Sequence, residues 1–181
     1  MPLASLFRRH QYRHQAHAAY AAIVAQAREP AFFLDYGVPD TLDGRFELIA
    51  LHAFLALNRL KADHATTAAF AQELFDTMFA DLDRGLREMG ASDIGVGRHV
   101  KEMAKGFYGR IHAYEEGLAG KDDVLGEALR RNLYGTVAPS PRAIAALSRY
   151  LRHQVGFLAG QGPDALLSGK INFDKLYAEN E

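Results

Sequence analysis

The sequence contains no cysteine and no tryptophan among its 181 residues. Without a thiol it has no disulfide bond, no cysteine-based zinc site and no cysteine nucleophile, which fits a reducing compartment. Neither sign of charge is in excess, because the formal net charge is -1. A nearly neutral chain lacks the basic field that nucleic-acid binding usually needs, so we expect no direct recognition of nucleic acid.

Long hydrophobic runs are missing as well. The most apolar stretch covers residues 48–57 and includes His52, so it is well short of the ~20 residues that a membrane-spanning helix requires. No signal-peptide pattern opens the sequence, because Arg8 and Arg9 are followed by polar residues rather than by an apolar run.

Helical periodicity is the dominant pattern that is present. Apolar residues recur every three or four positions, and no alternating run bounded by hairpin turns appears, so no sheet is predicted. We predict an all-α protein, a single compact bundle of about six helices, with a basic N-terminal helix in residues 1–30 and the main domain in residues 31–181. The predicted helices cover about residues 3–28, 41–61, 66–89, 93–118, 122–134 and 141–159.

Local signals set several boundaries. Asp40 or Thr41 is expected to cap the second predicted helix, and Ser140 followed by Pro141 is expected to start the last long one. Residues 31–43 contain Gly37 and Pro39, which predicts a loop.

The third and fourth predicted helices offer more apolar surface than one packing seam needs. In residues 66–89 apolar side chains span roughly half of the circumference, so this face contacts either a partner protein or two neighbouring helices. In the fourth helix, Gly106 and Gly109 each cost about 1 kcal/mol relative to alanine, which suggests close approach of another backbone, either in the core or in a bound partner. We expect the surplus surface to shelter apolar segments of another protein.

Catalytic and metal-binding patterns are weak. His10, His14 and His17 share one helical face, but no carboxylate lies within the same two turns, so exposed histidines are expected and no metal is assigned. The alternative function is the binding of a metal ion or haem by a helical protein that uses these histidines. Asp81 and Asp83 precede two arginines, which indicates a surface charge network rather than an acid–base pair. No nucleophile elbow or phosphate-binding loop is found, so we predict neither an enzyme nor a cofactor.

Three ordered segments resemble the ubiquinol–cytochrome c chaperone family. They are FFLDYGVPDTLDGRFEL at residues 32–48, LFDTMFADLDRGLREMGASDIGVG at residues 74–97 and VKEMAKGFYGRIHAYE at residues 100–115. The resemblance implies an α-helical chaperone that binds newly made cytochrome b and promotes assembly of the cytochrome bc1 complex, respiratory complex III. It also implies a small partner chaperone and the ribosome as partners, and a role that is not enzymatic. No long targeting extension is evident, which favours a cytoplasmic protein, and the basic first helix is expected to keep it at the periphery of the inner membrane. The alternative is that the basic, alanine-rich first 28 residues are a targeting peptide.

The same resemblance suggests where the client is bound. We expect the client-binding residues to be Asp81, Arg84, Arg87, Glu88, Met89, Lys101, Met103 and Tyr108. Arg98, Lys101 and Lys105 form a basic stripe beside Tyr108, which is either part of this contact surface or a solvated helix face. Arg8, Arg9 and Arg13 are expected to face an anionic membrane.

Overall fold

The helices of the protein pack into one all-α bundle, as predicted. The computed structural model describes residues 11–88, 93–135 and 137–175, with the backbone alone for residues 93–96 and 99. The elements are α1 (Arg13–Ala27), α2 (Ala31–Leu34), α3 (Leu42–Lys61), α4 (His64–Glu88), α5 (Asp93–Ala119), α6 (Asp122–Leu129), a π-helical turn (Arg130–Tyr134), α7 (Pro141–Ala159) and α8 (Pro163–Leu167). No strand occurs in the described residues.

Helix α3 is the central element of the bundle. Its side chains from Ala50 to Ala56 are all buried, and α1, α4 and α7 pack around it. The helix starts at a predicted cap, where the Thr41 side chain accepts a hydrogen bond from the Gly44 nitrogen at 3.1 Å. Gly44 is required at this position, because a Cβ atom there would lie 2.0 Å from the Pro39 carbonyl oxygen.

Helix α1 is joined to the same core. Ala16, Ala19 and Ile23 are fully buried, and α1 packs along both α3 and α4. The predicted residues Arg8 and Arg9 lie outside the described residues, whereas Arg13 is exposed at the start of α1. Among the described helices, none is long and apolar enough to cross a membrane.

The wide apolar face of α4 is occupied by intramolecular neighbours. Phe70, Leu74, Met78 and Phe79 are buried, and α4 contacts α1, α3 and α5. The interpretation with several neighbouring helices is therefore correct, and most of the expected surplus on α4 is used by the core. The two most exposed large apolar side chains among the described residues, Leu34 and Leu42, lie at α2 and the start of α3, with Leu82 of α4 lining the same groove.

Two local predictions are corrected. Close approach of another backbone to Gly106 and Gly109 within the core is wrong, because a Cβ at Gly109 would have no neighbour within 4 Å and one at Gly106 would meet only the Arg110 side chain. Their approach by a bound partner stays a prediction. Residues 31–34 form a helical turn where a loop was predicted. The predicted helix 122–134 is found with these bounds, and its last five residues form the π-helical turn, in which Leu133 and Tyr134 are buried.

The last described residues form an extended strap, defined here as residues 169–175. Gln154 bonds to both backbone groups of Asp174, its Nε2 to the carbonyl at 2.9 Å and its Oε1 to the amide at 3.0 Å. Gln161 binds Asn172 in the same way, at 2.7 and 3.0 Å. The two glutamine side chains thus bond the backbone groups that a neighbouring strand would otherwise bond. They fix the strap on α7 and its C-terminal end, with the centre of the Phe173 ring 5.3 Å from the centre of the His52 ring.

Candidate functional site

An apolar groove opens where four helices meet. It has a volume of about 620 Å³ and lies between the end of α1, the turn α2, the start of α3 and the end of α4. Its lining consists of Arg28, Pro30, Phe33, Leu34, Asp40, Leu42, Arg45, Phe46, Ile49 and Leu82. Charged groups therefore lie among a mostly apolar lining, which is the arrangement expected of a protein-binding groove.

Two leucines in this groove are exposed for local reasons. Helix α2 buries Phe32, whose ring packs 5.2 Å from His52 and 5.3 Å from Tyr150. Leu34, two residues later on the same short turn, is directed outward and is 80% exposed. Leu42 is the first helical residue after the Thr41 cap and is 64% exposed. Both leucines are fixed beside the groove by buried neighbours, so their exposure is built into the fold.

A first cleft adjoins the groove at Arg28, which lines both. This cleft has a volume of about 710 Å³ between α1 and α4, and its lining includes Asp81 and Arg84. The Tyr20 hydroxyl donates to Asp81 Oδ2 at 3.0 Å, and Arg84 forms an ion pair with the same carboxylate. Burial, and then the negative charge of Asp81, raise the pKa of Tyr20, so its hydroxyl stays protonated.

A second cleft adjoins the groove at Phe46. It has a volume of about 560 Å³, and its lining includes Met103, Arg131 and the ion pair between Glu47 and Arg110. Arg110 Nε donates to Glu47 Oε2 at 2.6 Å, and the guanidinium lies 5.7 Å from the centre of the Phe46 ring. Burial raises the pKa of Glu47 although Arg110 opposes the change. A Cβ at Gly106 would lie 2.8 Å from the Arg110 guanidinium, so a larger residue there would displace the end of the Arg110 side chain.

The structure distributes the predicted client-binding residues over more than one place. Asp81 and Arg84 lie together in the first cleft, whereas Met103 lies in the second. Lys101 and Tyr108 face outward on α5, where the Tyr108 ring is 60% exposed and packs 5.6 Å from Phe75. The remaining members are Arg87, which pairs with Asp83 at 2.6 Å, Glu88, which is exposed, and Met89, which lies outside the described residues. The charge network around Asp81 and Asp83 is confirmed, and the client-binding role stays a prediction.

The groove itself was missed by the sequence analysis. Leu34 and Leu42 fall in or beside a segment predicted as a loop, and apolar side chains there have no periodic pattern that assigns them to a core. The available signal was the presence of two leucines among turn-forming residues. Such residues stay exposed unless another element covers them.

The histidines do not support the metal-binding alternative. His14 and His17 are exposed on α1, and His10 lies outside the described residues. In the part of the chain that is described, no three histidine or acidic side chains are grouped so that they hold a metal ion.

His52 is instead a core residue. Its Nδ1 donates to the Leu48 carbonyl at 2.7 Å, and its Nε2 accepts from the Tyr150 hydroxyl at 2.8 Å. The same hydroxyl accepts from Gln26 at 3.1 Å. Burial lowers the pKa of His52 to about 4, so the ring is neutral at physiological pH.

Comparison with known proteins gives consistent matches. Residues 34–173 match the family described as ubiquinol-cytochrome C chaperone. The chain is 30% identical over 153 residues to ubiquinol-cytochrome-c reductase complex assembly factor 1 of Xenopus laevis, covering 84% of this chain and 76% of that protein. It is 28% identical to the mouse protein of the same name over 89% of this chain, but spans only 55% of that relative's length.

A solved structure agrees with these matches. The crystal structure of the Cbp3 homolog from Brucella abortus is 36% identical in sequence and superposes with a TM-score of 0.82. The alignment covers 97% of this chain and 98% of that one.

Proposed function

Because the chain belongs to the ubiquinol-cytochrome C chaperone family, we propose that it promotes assembly of the cytochrome bc1 complex by holding newly made cytochrome b. The observation that carries the proposal is the family match over residues 34–173. The relatives from frog and mouse are named as assembly factors of the ubiquinol-cytochrome-c reductase complex, which is the same complex. The named client, cytochrome b, comes from the family resemblance.

The apolar groove gives this role a physical basis. A membrane protein subunit that has not yet been inserted exposes apolar helices to water, and a holder must cover them reversibly. The groove presents Leu34 and Leu42 at its surface, with Phe33, Phe46 and Ile49 behind them. An open apolar groove of this kind receives a helix through side chains at i, i+3, i+4 and i+7. Holding of this kind requires no catalytic group, so we propose a role that is not enzymatic.

The partners of the chain follow from the same membership. We propose a small partner chaperone and the ribosome as further contacts, and a cytoplasmic location at the surface of the inner membrane. Arg8, Arg9 and Arg13 would meet anionic lipid. Charge reversal at these three arginines tests that contact better than deletion of α1, because α1 contributes Ala16 and Ile23 to the core. Unchanged co-sedimentation of the reversed variant with anionic vesicles would remove the membrane contact from the proposal.

Gene deletion tests the main proposal. Cells without this chain should lose assembled cytochrome bc1 complex, measured by native gel electrophoresis and by the haem b absorbance of membranes. Other respiratory complexes should persist, and re-expression of the chain should restore the lost one. Normal levels of bc1 complex in the deletion strain would contradict the proposal.

The predicted client-binding residues have a separate test. Charge reversal at Arg84, Arg87 and Lys101 should weaken crosslinking to cytochrome b, while circular dichroism shows an unchanged helical content. Arg142→Glu is the matched control, because Arg142 is exposed at the start of α7. Normal capture by the triple variant would show that the client is bound elsewhere, with the groove as the next surface to test.

A further inference from the structure

The lining of the groove carries charged groups as well as apolar side chains. We infer that it receives one apolar helical segment of the client, and that this segment carries an acidic residue at the end that lies beside Arg28. This inference rests on the proposed holding function and names the class of segment that is held.

The charged groups of the groove are not all paired with one another. Three of its lining residues are ionic: Arg28, Asp40 and Arg45. Arg45 Nε pairs with Asp40 Oδ1 at 2.6 Å, so these two charges satisfy each other. Arg28 has no acidic partner within 4.0 Å in the described part of the chain. The groove therefore offers one unmatched positive charge.

The acidic residues of the first cleft do not pair directly with Arg28. Asp81, Glu73 and Asp76 line this cleft together with Arg28, and none of them forms an ion pair with it within 4.0 Å. The Asp81 carboxylate is already shared by the Tyr20 hydroxyl and the Arg84 guanidinium. A partner is therefore left to supply a direct counter-charge to Arg28.

Binding of a client segment also changes the hydration of Arg28. An apolar helix that covers the groove removes water from the Arg28 end, and a guanidinium that loses water without gaining an acceptor is disfavoured. A segment with a carboxylate at that end replaces the lost water by a charge-assisted hydrogen bond, whereas a segment with a lysine there adds repulsion. Charge therefore selects both which segment binds and in which direction it lies.

Labelled synthetic helices test this preference by fluorescence anisotropy. Two amphipathic peptides share one apolar face and differ at one end, which carries two glutamates in the first peptide and two lysines in the second. The full-length wild-type chain should bind the glutamate peptide about tenfold more tightly at low salt, and the difference should shrink as salt rises. Arg28→Glu should reverse the preference, and Leu42→Asp should weaken binding of both peptides. Val124→Asp is the control, since Val124 is an exposed apolar residue of α6 outside the groove lining.

The outcomes separate the inference from the proposed function. Equal affinity for both peptides, or an unchanged preference in Arg28→Glu, overturns the inference whatever the deletion strain shows. A wild-type chain that self-associates and binds neither peptide, with Leu42→Asp restoring a monomer, overturns it in favour of a second copy as occupant. A clear charge preference with normal bc1 complex in the deletion strain supports the charge selection but contradicts cytochrome b as the client.

Discussion

At the scale of single residues, the buried polar groups decide how the core responds to pH. His52 is fully buried among aromatic rings and bonded on both nitrogens, with Tyr150 donating to one of them. The folded state holds the neutral ring, because its pKa is lowered from 6.5 to about 4. The unfolded chain binds a proton more readily, so the contribution of His52 to stability is complete above pH 6.5 and is lost as the pH falls towards 4.

Acid titration of stability checks this point. Between pH 7 and pH 4 the wild type should lose about 3 kcal/mol of unfolding free energy through His52 alone. His52→Gln should be less stable than the wild type at pH 7 but should show a shallower dependence on pH in urea unfolding. His64→Gln, at an exposed position, should keep the wild-type slope. Identical slopes for His52→Gln and the wild type would contradict a neutral His52.

The pair of Glu47 and Arg110 gives a second residue-scale prediction. Arg110→Met leaves the buried Glu47 carboxylate without its partner, and we expect a loss of about 3 kcal/mol in urea unfolding. The double variant with Glu47→Leu should recover most of this loss, because no charge is then left buried. Arg45→Met, in the exposed pair with Asp40, should change stability little. A double variant as unstable as the single one would rule out the unpaired carboxylate as the cause.

At the scale of elements, the glycines of α5 have opposite roles. Gly117 allows α5 and α6 to approach, because a Cβ there would lie 2.7 Å from the Leu125 Cα atom. Gly109 has open space where its Cβ would be. Gly109→Ala should therefore stabilise the protein by about 0.5–1 kcal/mol through helix propensity.

The matched change at Gly117 should act in the other direction. Gly117→Ala must displace α6, and a loss of at least about 1 kcal/mol is expected. Both variants are compared with the wild type by the midpoint of urea unfolding. A stabilising shift in both variants would show that helix propensity, rather than the contact with α6, decides the effect at Gly117. A destabilising shift in Gly109→Ala would contradict the open space at that position.

The elements that were predicted correctly from the sequence are those that depend on residues close together in the chain. The caps at Thr41 and Ser140 and the long amphipathic helices follow from local chemistry and periodicity, and both caps are found. The turn α2 was not predicted, since four residues carry no period and its position depends on Phe32 entering the core. The open space at Gly109 and the position of the Arg110 side chain beside Gly106, which Glu47 of α3 holds by an ion pair, also depend on tertiary structure. The groove required four helices to be placed together, and only tertiary structure supplies that.

At the scale of the whole molecule, the exposed apolar surface is separate from the surface that stabilises the fold. Leu34 and Leu42 are mostly exposed, whereas their neighbours Phe32 and Leu48 are fully buried. Leu34→Ser with Leu42→Ser should therefore leave the free energy of unfolding within about 0.5 kcal/mol of the wild type, while client capture falls. Leu48→Ser should unfold the protein more easily by several kcal/mol. A large loss of stability in the double serine variant would show that these leucines serve the fold rather than a partner.

The strap at residues 169–175 bears on how the protein is made. Phe173 rests on the ring of His52, a residue near the middle of the central helix, and two glutamines of the preceding segment fasten the strap's backbone. The chain therefore closes its core with a segment that follows the long helices in the sequence, so this segment is synthesised after them. A nascent copy whose strap is still inside the exit tunnel has an uncovered His52 ring, so the core closes only after the strap has left the ribosome.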